Sequence, residues 1–157
     1  MRMMVWIAIG LVTLIAAGML YVRLAPSDPA VWHVDPLMVT RPQDKAHVLY
    51  RPGDGDEPGM VVDLTPAQAI SALKEVALQT PRVNVLAESP DHVTFVARSA
   101  LWGFPDYISV RAVPDGAGVR LVVFARQRFG RDDQGVNEAR VTDWMQDLQA
   151  RLGPNPS

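Results

Sequence analysis

The side chains able to do chemistry gather late in the chain. Arg98, Asp106, Arg126, Arg128, Asp133, Asn137 and Arg140 fall around a glycine-bounded segment, Gly130-Arg131-Asp132-Asp133-Gln134-Gly135, that precedes an amphipathic stretch. Guanidinium forks grip carboxylate or phosphate oxygens in pairs, and a helix N-terminus adds unpaired N–H groups and the positive end of its dipole. The chemistry this predicts is binding of an anion: a small anionic ligand, a lipid headgroup or an envelope partner. An enzymatic alternative makes Asp106 or Asp133 the acid or base of a hydrolase-like centre, with Arg98 and Arg126 holding an anionic substrate. A structural alternative uses the same residues differently. Asp106, Asp132 and Asp133 neutralise the arginines, Asn137 caps the helix, and Gly130 and Gly135 supply positive φ.

Other chemistries find little support. The chain has no cysteine, which removes disulfides, thiolate metal sites and a Cys nucleophile. His33, His47 and His92 show no i, i+4 pairing, and Asp54, Asp56 and Glu57 lack the spaced ligands of a calcium loop. Neither Ser99 nor Ser109 sits in G-x-S-x-G, and the 130–137 loop is not G-x-x-x-x-G-K-[ST]. No metal or cofactor is therefore expected. The formal net charge of −2 disfavours nucleic acid, which requires a basic surplus.

The elements that must position these residues follow from periodicity. Thr65-Pro66-Ala67-Gln68 has the form of a capping box with Pro at the first helical position, and Ala69, Ile70, Leu73, Val76, Ala77 and Thr80 make one apolar stripe ending at Pro81. Alternation then takes over. Val83, Val85 and Ala87, then Val93, Phe95 and Ala97, then Ile108, Val110 and Ala112, then Val119, Leu121, Val123 and Ala125 each mark one face of a strand. Ala46–Tyr50 is a further short strand. Val141, Trp144, Met145, Leu148 and Leu152 stripe a last helix that Gly153-Pro154 stops. The expected fold is α+β: an antiparallel sheet of about four or five strands with two helices on one face. In an up-and-down sheet the end of one strand lies beside the start of the next, so Arg98, Asp106, Arg126 and Arg128 are predicted to meet at one end. Val122 and Phe124 face away from the core stripe, either lining a groove or covered by another segment. Trp102 and Phe104 flank a glycine in a loop, expected to be partly buried.

The start of the chain is a different object. Residues 3–22, MMVWIAIGLVTLIAAGMLYV, carry no charge, and at ~1.5 Å rise per residue they match a ~30 Å hydrocarbon core. Trp6 and Tyr21 suit the two interfaces. A cleaved signal peptide is the competitor, but its apolar part usually runs only about 7–15 residues. Residues 1–23 are thus expected to be a signal-anchor contacting the bilayer through 3–22, with Arg2 inside and the domain in the periplasm or outside, held at the inner (cytoplasmic) membrane. Residues 24–43, with four prolines, are expected to be an extended tether, and 44–157 the domain. Trp32 and Leu37 within the tether can dock on the domain or sit at the lipid interface. Without Arg2 and Arg23 the remainder holds 13 basic and 17 acidic side chains, a net charge of −4, with Lys45 and Lys74 its only lysines.

The pattern Arg98-Ser99, Gly103-Phe104-Pro105-Asp106 and Arg126-x-Arg128-x-Gly130-x-x-Asp133-x-Gly135-x-Asn137-x-x-Arg140 resembles the bacterial and plastid family called domain of unknown function fourteen ninety-nine, over roughly residues 44–152. Gln127 stands where many members have Ser, and Glu138 where a basic residue is common. The resemblance implies an often anchored or exported domain in which the loop and arginines matter, and it brings no activity.

Overall fold

A computed structural model describes residues 2–153. An apolar helix, α1 (Arg2–Leu24), leads through one short turn, α2 (Pro29–Trp32), into strands β1 (His47–Tyr50) and β2 (Met60–Val62), helix α3 (Pro66–Ala77), strands β3 (Val83–Ser89), β4 (His92–Arg98), β5 (Pro105–Asp115) and β6 (Gly118–Gln127), and helix α4 (Val136–Leu152). All strand pairs are antiparallel, in the order β1-β6-β5-β4-β3. Strand β2 pairs with the other half of β6, so β1 and β2 are two pieces of one edge interrupted by residues 51–59. With its three residues between Gly59 and Asp63, β2 is too short to show a period, which is why the sheet has one strand more than the pattern predicts.

The two helices do share a face. Thr65 and Gln68 close the expected capping box, and the stripe of α3 packs with Val141, Trp144 and Leu148 of α4 onto Val93, Phe95, Ile108, Val110, Leu121 and Val123. Phe95 meets Trp144 edge-on, ring centres 5.2 Å apart. One expected alternation fails. A bulge between Val85 and Ala87 shifts the register, so Ala87 pairs with Thr94 and joins the opposite face from Val83 and Val85. Pro114–Gly118 tightens to a two-residue turn, with Gly116 at φ 62° and Asp115 paired to Gly118. Pro154, named with Gly153 as the stop of α4, lies outside the described residues.

The tether expectation is corrected. Residues 26–39 lie across the second face of the sheet as a strap. The Trp32 ring stacks on Tyr107 at 4.0 Å and His33 on His92 at 3.9 Å. The Ser27 hydroxyl lies 2.8 Å from that of Tyr107, and Arg111 pairs with Asp35. Proline density signals an irregular backbone, but it carries no information on what that backbone touches.

Helix α1 is the only helix among the described residues long and apolar enough to cross a membrane, and its apolar window is unburied. Such a helix could be an anchor or a signal sequence. Its last turn is not free: Val22 and Ala25 are buried, and Arg23 Nη2 donates to the carbonyl of Leu101 at 2.7 Å.

Candidate functional site

The expected residues do reach one end of the sheet, but the sheet divides them. On the helix face, Arg140 Nη1 donates to Asp106 Oδ2 at 3.2 Å and to Asn137 Oδ1 at 2.7 Å. Burial raises the Asp106 carboxyl above its usual range, and the neighbouring Arg140 opposes that shift. Asp133 is fully engaged: one oxygen accepts the Gly135 N–H at 3.1 Å and the other the Asn137 N–H at 3.0 Å. The cap assignment is corrected accordingly. Gly135, at φ 79°, holds the N-cap position, Asp133 supplies the acceptors, and Asn137 lies buried inside the first turn. The amide nitrogens of Asn137 and Gln127 are buried without a hydrogen-bond partner. Gly130, at φ 110°, brings the backbone against Gln127, where a Cβ would stand 2.6 Å from Nε2.

Arg126 and Arg128 leave from the opposite face and, among the described residues, meet no carboxylate. Arg126 Nη2 donates to Trp32 O at 2.7 Å, and its guanidinium carbon stands 4.7 Å from the Phe124 ring centre and 5.5 Å from that of Trp32. Burial pushes its pKa down to about 10. Arg128 Nη1 donates to Pro26 O at 2.8 Å. These two arginines therefore hold the strap through its carbonyls and the ring of Trp32. Val122 and Phe124 are buried on this same face.

Arg98 opens a third location. Its Nη1 donates to Gly103 O at 3.0 Å, and Arg82 Nε donates to Arg98 O at 3.1 Å. A cleft of about 330 Å³ is lined by Arg23, Arg82, Asn84, Arg98, Ser99, Ala100 and Gly103, with no carboxylate in its wall. Among the described residues none of its three arginines has an ion-pair partner within 4.0 Å. Each guanidinium has five N–H donors, most of them uncommitted here. Arg82 holds φ 63°, a left-handed conformation unusual for a side-chain-bearing residue. Sequence reasoning missed Arg23 and Arg82. The first flanks an apolar run and the second follows Pro81, and nothing local says that they approach Arg98.

A cleft of about 420 Å³ lies at the β1 edge and is chiefly acidic: Asp44, Asp56, Asp132, Asp133 and Glu138 beside Arg41 and Lys45. Its carboxylates are mostly spoken for. Asp56 accepts the Leu49 N–H at 2.9 Å and pairs with Arg41, while Asp132 accepts from Gln134 N at 2.8 Å. Asp54 takes Arg51 in a two-pronged pair that keeps its carboxyl below the usual range. Among the described residues no three His, Asp or Glu side chains stand together as a metal site would need. Ser99 Oγ accepts from Phe104 N at 3.0 Å, and Ser109 Oγ lies 2.9 Å from Thr94 Oγ1, so both serines serve local structure. Trp102 stacks with Phe104 at 5.9 Å at the mouth of the β4–β5 loop.

An α+β domain of this form, with a loop-and-arginine motif after its last strand, places the chain in a definite class. Residues 31–148 match the family described as "Protein of unknown function (DUF1499)", and the chain belongs to that family. The match begins at Val31, within the strap, earlier than the motif-based boundary of 44. No curated protein matches the chain.

Proposed function

We propose that this chain is a single-pass membrane protein whose domain, on the envelope side of the inner (cytoplasmic) membrane, is a non-catalytic module that binds an anionic group. Arg2, ahead of the apolar span, favours a cytoplasmic leading side and a translocated domain, and the length of the span favours retention; signal cleavage followed by release is the lesser alternative. The observation that carries the binding reading is the cleft of Arg23, Arg82 and Arg98, three guanidinium groups around one space without a carboxylate. Arg126, Arg128 and Arg140, by contrast, are engaged by the strap carbonyls, Asp106 and Asn137. The hydrolase-like alternative is the weaker one, because Asp133 spends both oxygens on backbone N–H groups and Asp106 is held by Arg140.

Inorganic phosphate is a sufficient probe for the full chain in detergent. A ligand binding only the folded state at ten times its Kd adds ~1.4 kcal/mol, so the melting temperature rises with phosphate. Arg98→Gln is expected to abolish that rise. Asp133→Ala removes the helix cap and is expected to cost about 1 kcal/mol of stability, while the phosphate-dependent rise persists. A rise unchanged in Arg98→Gln rejects the cleft as the site.

A further inference from the structure

The arginine cleft is built onto the last turn of α1, and this joint says what the anion is. Arg23 belongs to that turn, donates to Leu101 O at 2.7 Å, and forms one wall of the cleft together with Arg82 and Arg98. The β4–β5 loop is thereby fixed at the level where an apolar span leaves the hydrocarbon. A 20-residue flexible tether would let the domain wander from the surface, but the strap leaves no such slack: Val22 and Ala25 are buried against the domain and Arg128 grips Pro26 O. At the same level the loop exposes Leu101 (68%) and Trp102 (37%), beside Phe104 and Phe129, whose ring centres lie 5.8 Å apart. Exposed Trp and Leu beside arginines are the composition of a membrane–water interface, where apolar groups enter the acyl boundary and guanidinium groups meet phosphates.

We infer that the Arg23–Arg82–Arg98 cleft seats the phosphate of a phospholipid headgroup from the bilayer in which α1 is anchored, with Leu101 and Trp102 inserted beside it. This rests on the anchored, anion-binding reading above and goes further by naming the ligand class. A phosphodiester offers two unesterified oxygens to forked donors, and the Ser99 and Asn84 side chains in the wall add neutral ones. Arg82 takes its left-handed backbone in the turn that leads from Pro81 into β3, and its guanidinium lines the cleft. The cleft wall carries no acid, so an anionic leaflet attracts it.

Because the chain lacks cysteine, Leu101→Cys in the full-length protein gives a single thiol for a spin label. Its depth is read by collision with oxygen and a water-soluble nickel reagent, in nanodiscs of phosphatidylcholine and of phosphatidylcholine with phosphatidylglycerol. A label at Ala117→Cys, in the exposed turn at the far end of β5, is the aqueous control. The expected result is a Leu101 label shielded from nickel in the phosphatidylglycerol discs, while the Ala117 label stays accessible. Each arginine near an anionic surface is worth roughly fivefold in such an equilibrium, so Arg82→Gly with Arg98→Gln shifts it about 25-fold towards exposure. Glycine is the native-like choice at a positive φ, so Arg82→Gly alone keeps the fold and still produces its fivefold share. A Leu101 label equally buried in both discs and indifferent to the arginines overturns the headgroup assignment. A label in water in both discs overturns the docking as well. If the phosphate-dependent rise in melting temperature survives either result, the anion-binding reading stands and only its lipid identity is lost; if it too is absent, both fall.

Discussion

The two faces of this sheet bury comparable strands by opposite means. Under α3 and α4 the layer is mainly apolar, and Phe95, Ile108, Val110, Leu121 and Val123 pack with the helix stripes in one cluster. Under the strap the buried set includes Thr94, Ser109 and His92, and the half-buried guanidinium of Arg126 is tied to a carbonyl of a segment with a single turn of helix. A regular element satisfies its own backbone and can offer pure hydrocarbon. An irregular strap cannot, so its carbonyls must be met by donors from the sheet. Arg126 to Trp32 O, Arg128 to Pro26 O, His92 Nε2 to Val34 O and Arg51 to Pro36 O are those donors. The lesson is that a buried arginine without a carboxylate need not be awaiting a ligand.

The comparison is open to test from both sides. The largest effect belongs to the apolar helix face. Phe95→Ala leaves a cavity against Trp144 and is expected to lower global stability by about 3–5 kcal/mol, read as a shift of the denaturant midpoint. On the strap face, Trp32→Ala removes the stack on Tyr107 and two cation–π contacts, about 1–3 kcal/mol. Its signature is local: amides of residues 27–39 exchange faster while those of β4 to β6 hold their protection. Equal acceleration across the sheet would show that the strap belongs to the same cooperative unit as the core.

The smallest effect is a response to acid. Burial holds both stacked imidazoles, His33 and His92, below the ordinary 6.5, with His33 lowering His92 further and Asp35 opposing. Arg111, also near, lowers His92, and Asp91 pairs with Arg111. A base whose folded pKa is depressed takes up fewer protons in the fold than in the unfolded chain. Stability is therefore whole above pH 6.5 and declines as the pH falls through 6.5 towards the lower folded values. Strap amides are expected to exchange faster at pH 5 than at pH 7.5 after correction for intrinsic rates, and His92→Gln is expected to flatten that difference. An unchanged difference in His92→Gln assigns the response elsewhere.

Much of this was legible in the residues. The capping box at Thr65, the helix stripes and the alternation of β4, β5 and β6 are local patterns, and local geometry obeys them. Even the division of the candidate site was present as parity. Asp106 shares its face with Ile108, whereas Arg126 and Arg128 share theirs with Phe124, so neighbours at one strand end need not share a face. The bulge at Leu86 was not legible, because a run of Val, Leu and Ala gives no sign of which residue is left unpaired. Nor were Arg23 and Arg82, which are separated from Arg98 by long stretches of chain and meet it only through the joint between α1 and the sheet.

By itself the sequence determined the longer helices and strands, which apolar faces seek cover, and that one uncharged helix stands apart from an acidic, arginine-rich remainder. These depend on interactions within a few residues, where side-chain period and backbone preference act directly. Tertiary structure alone decided that the proline-rich segment is a strap, that Arg126 holds it, and that the arginines open to solvent lie beside the end of α1. Those outcomes depend on which surface remains uncovered once the core has formed, and no local pattern encodes that remainder.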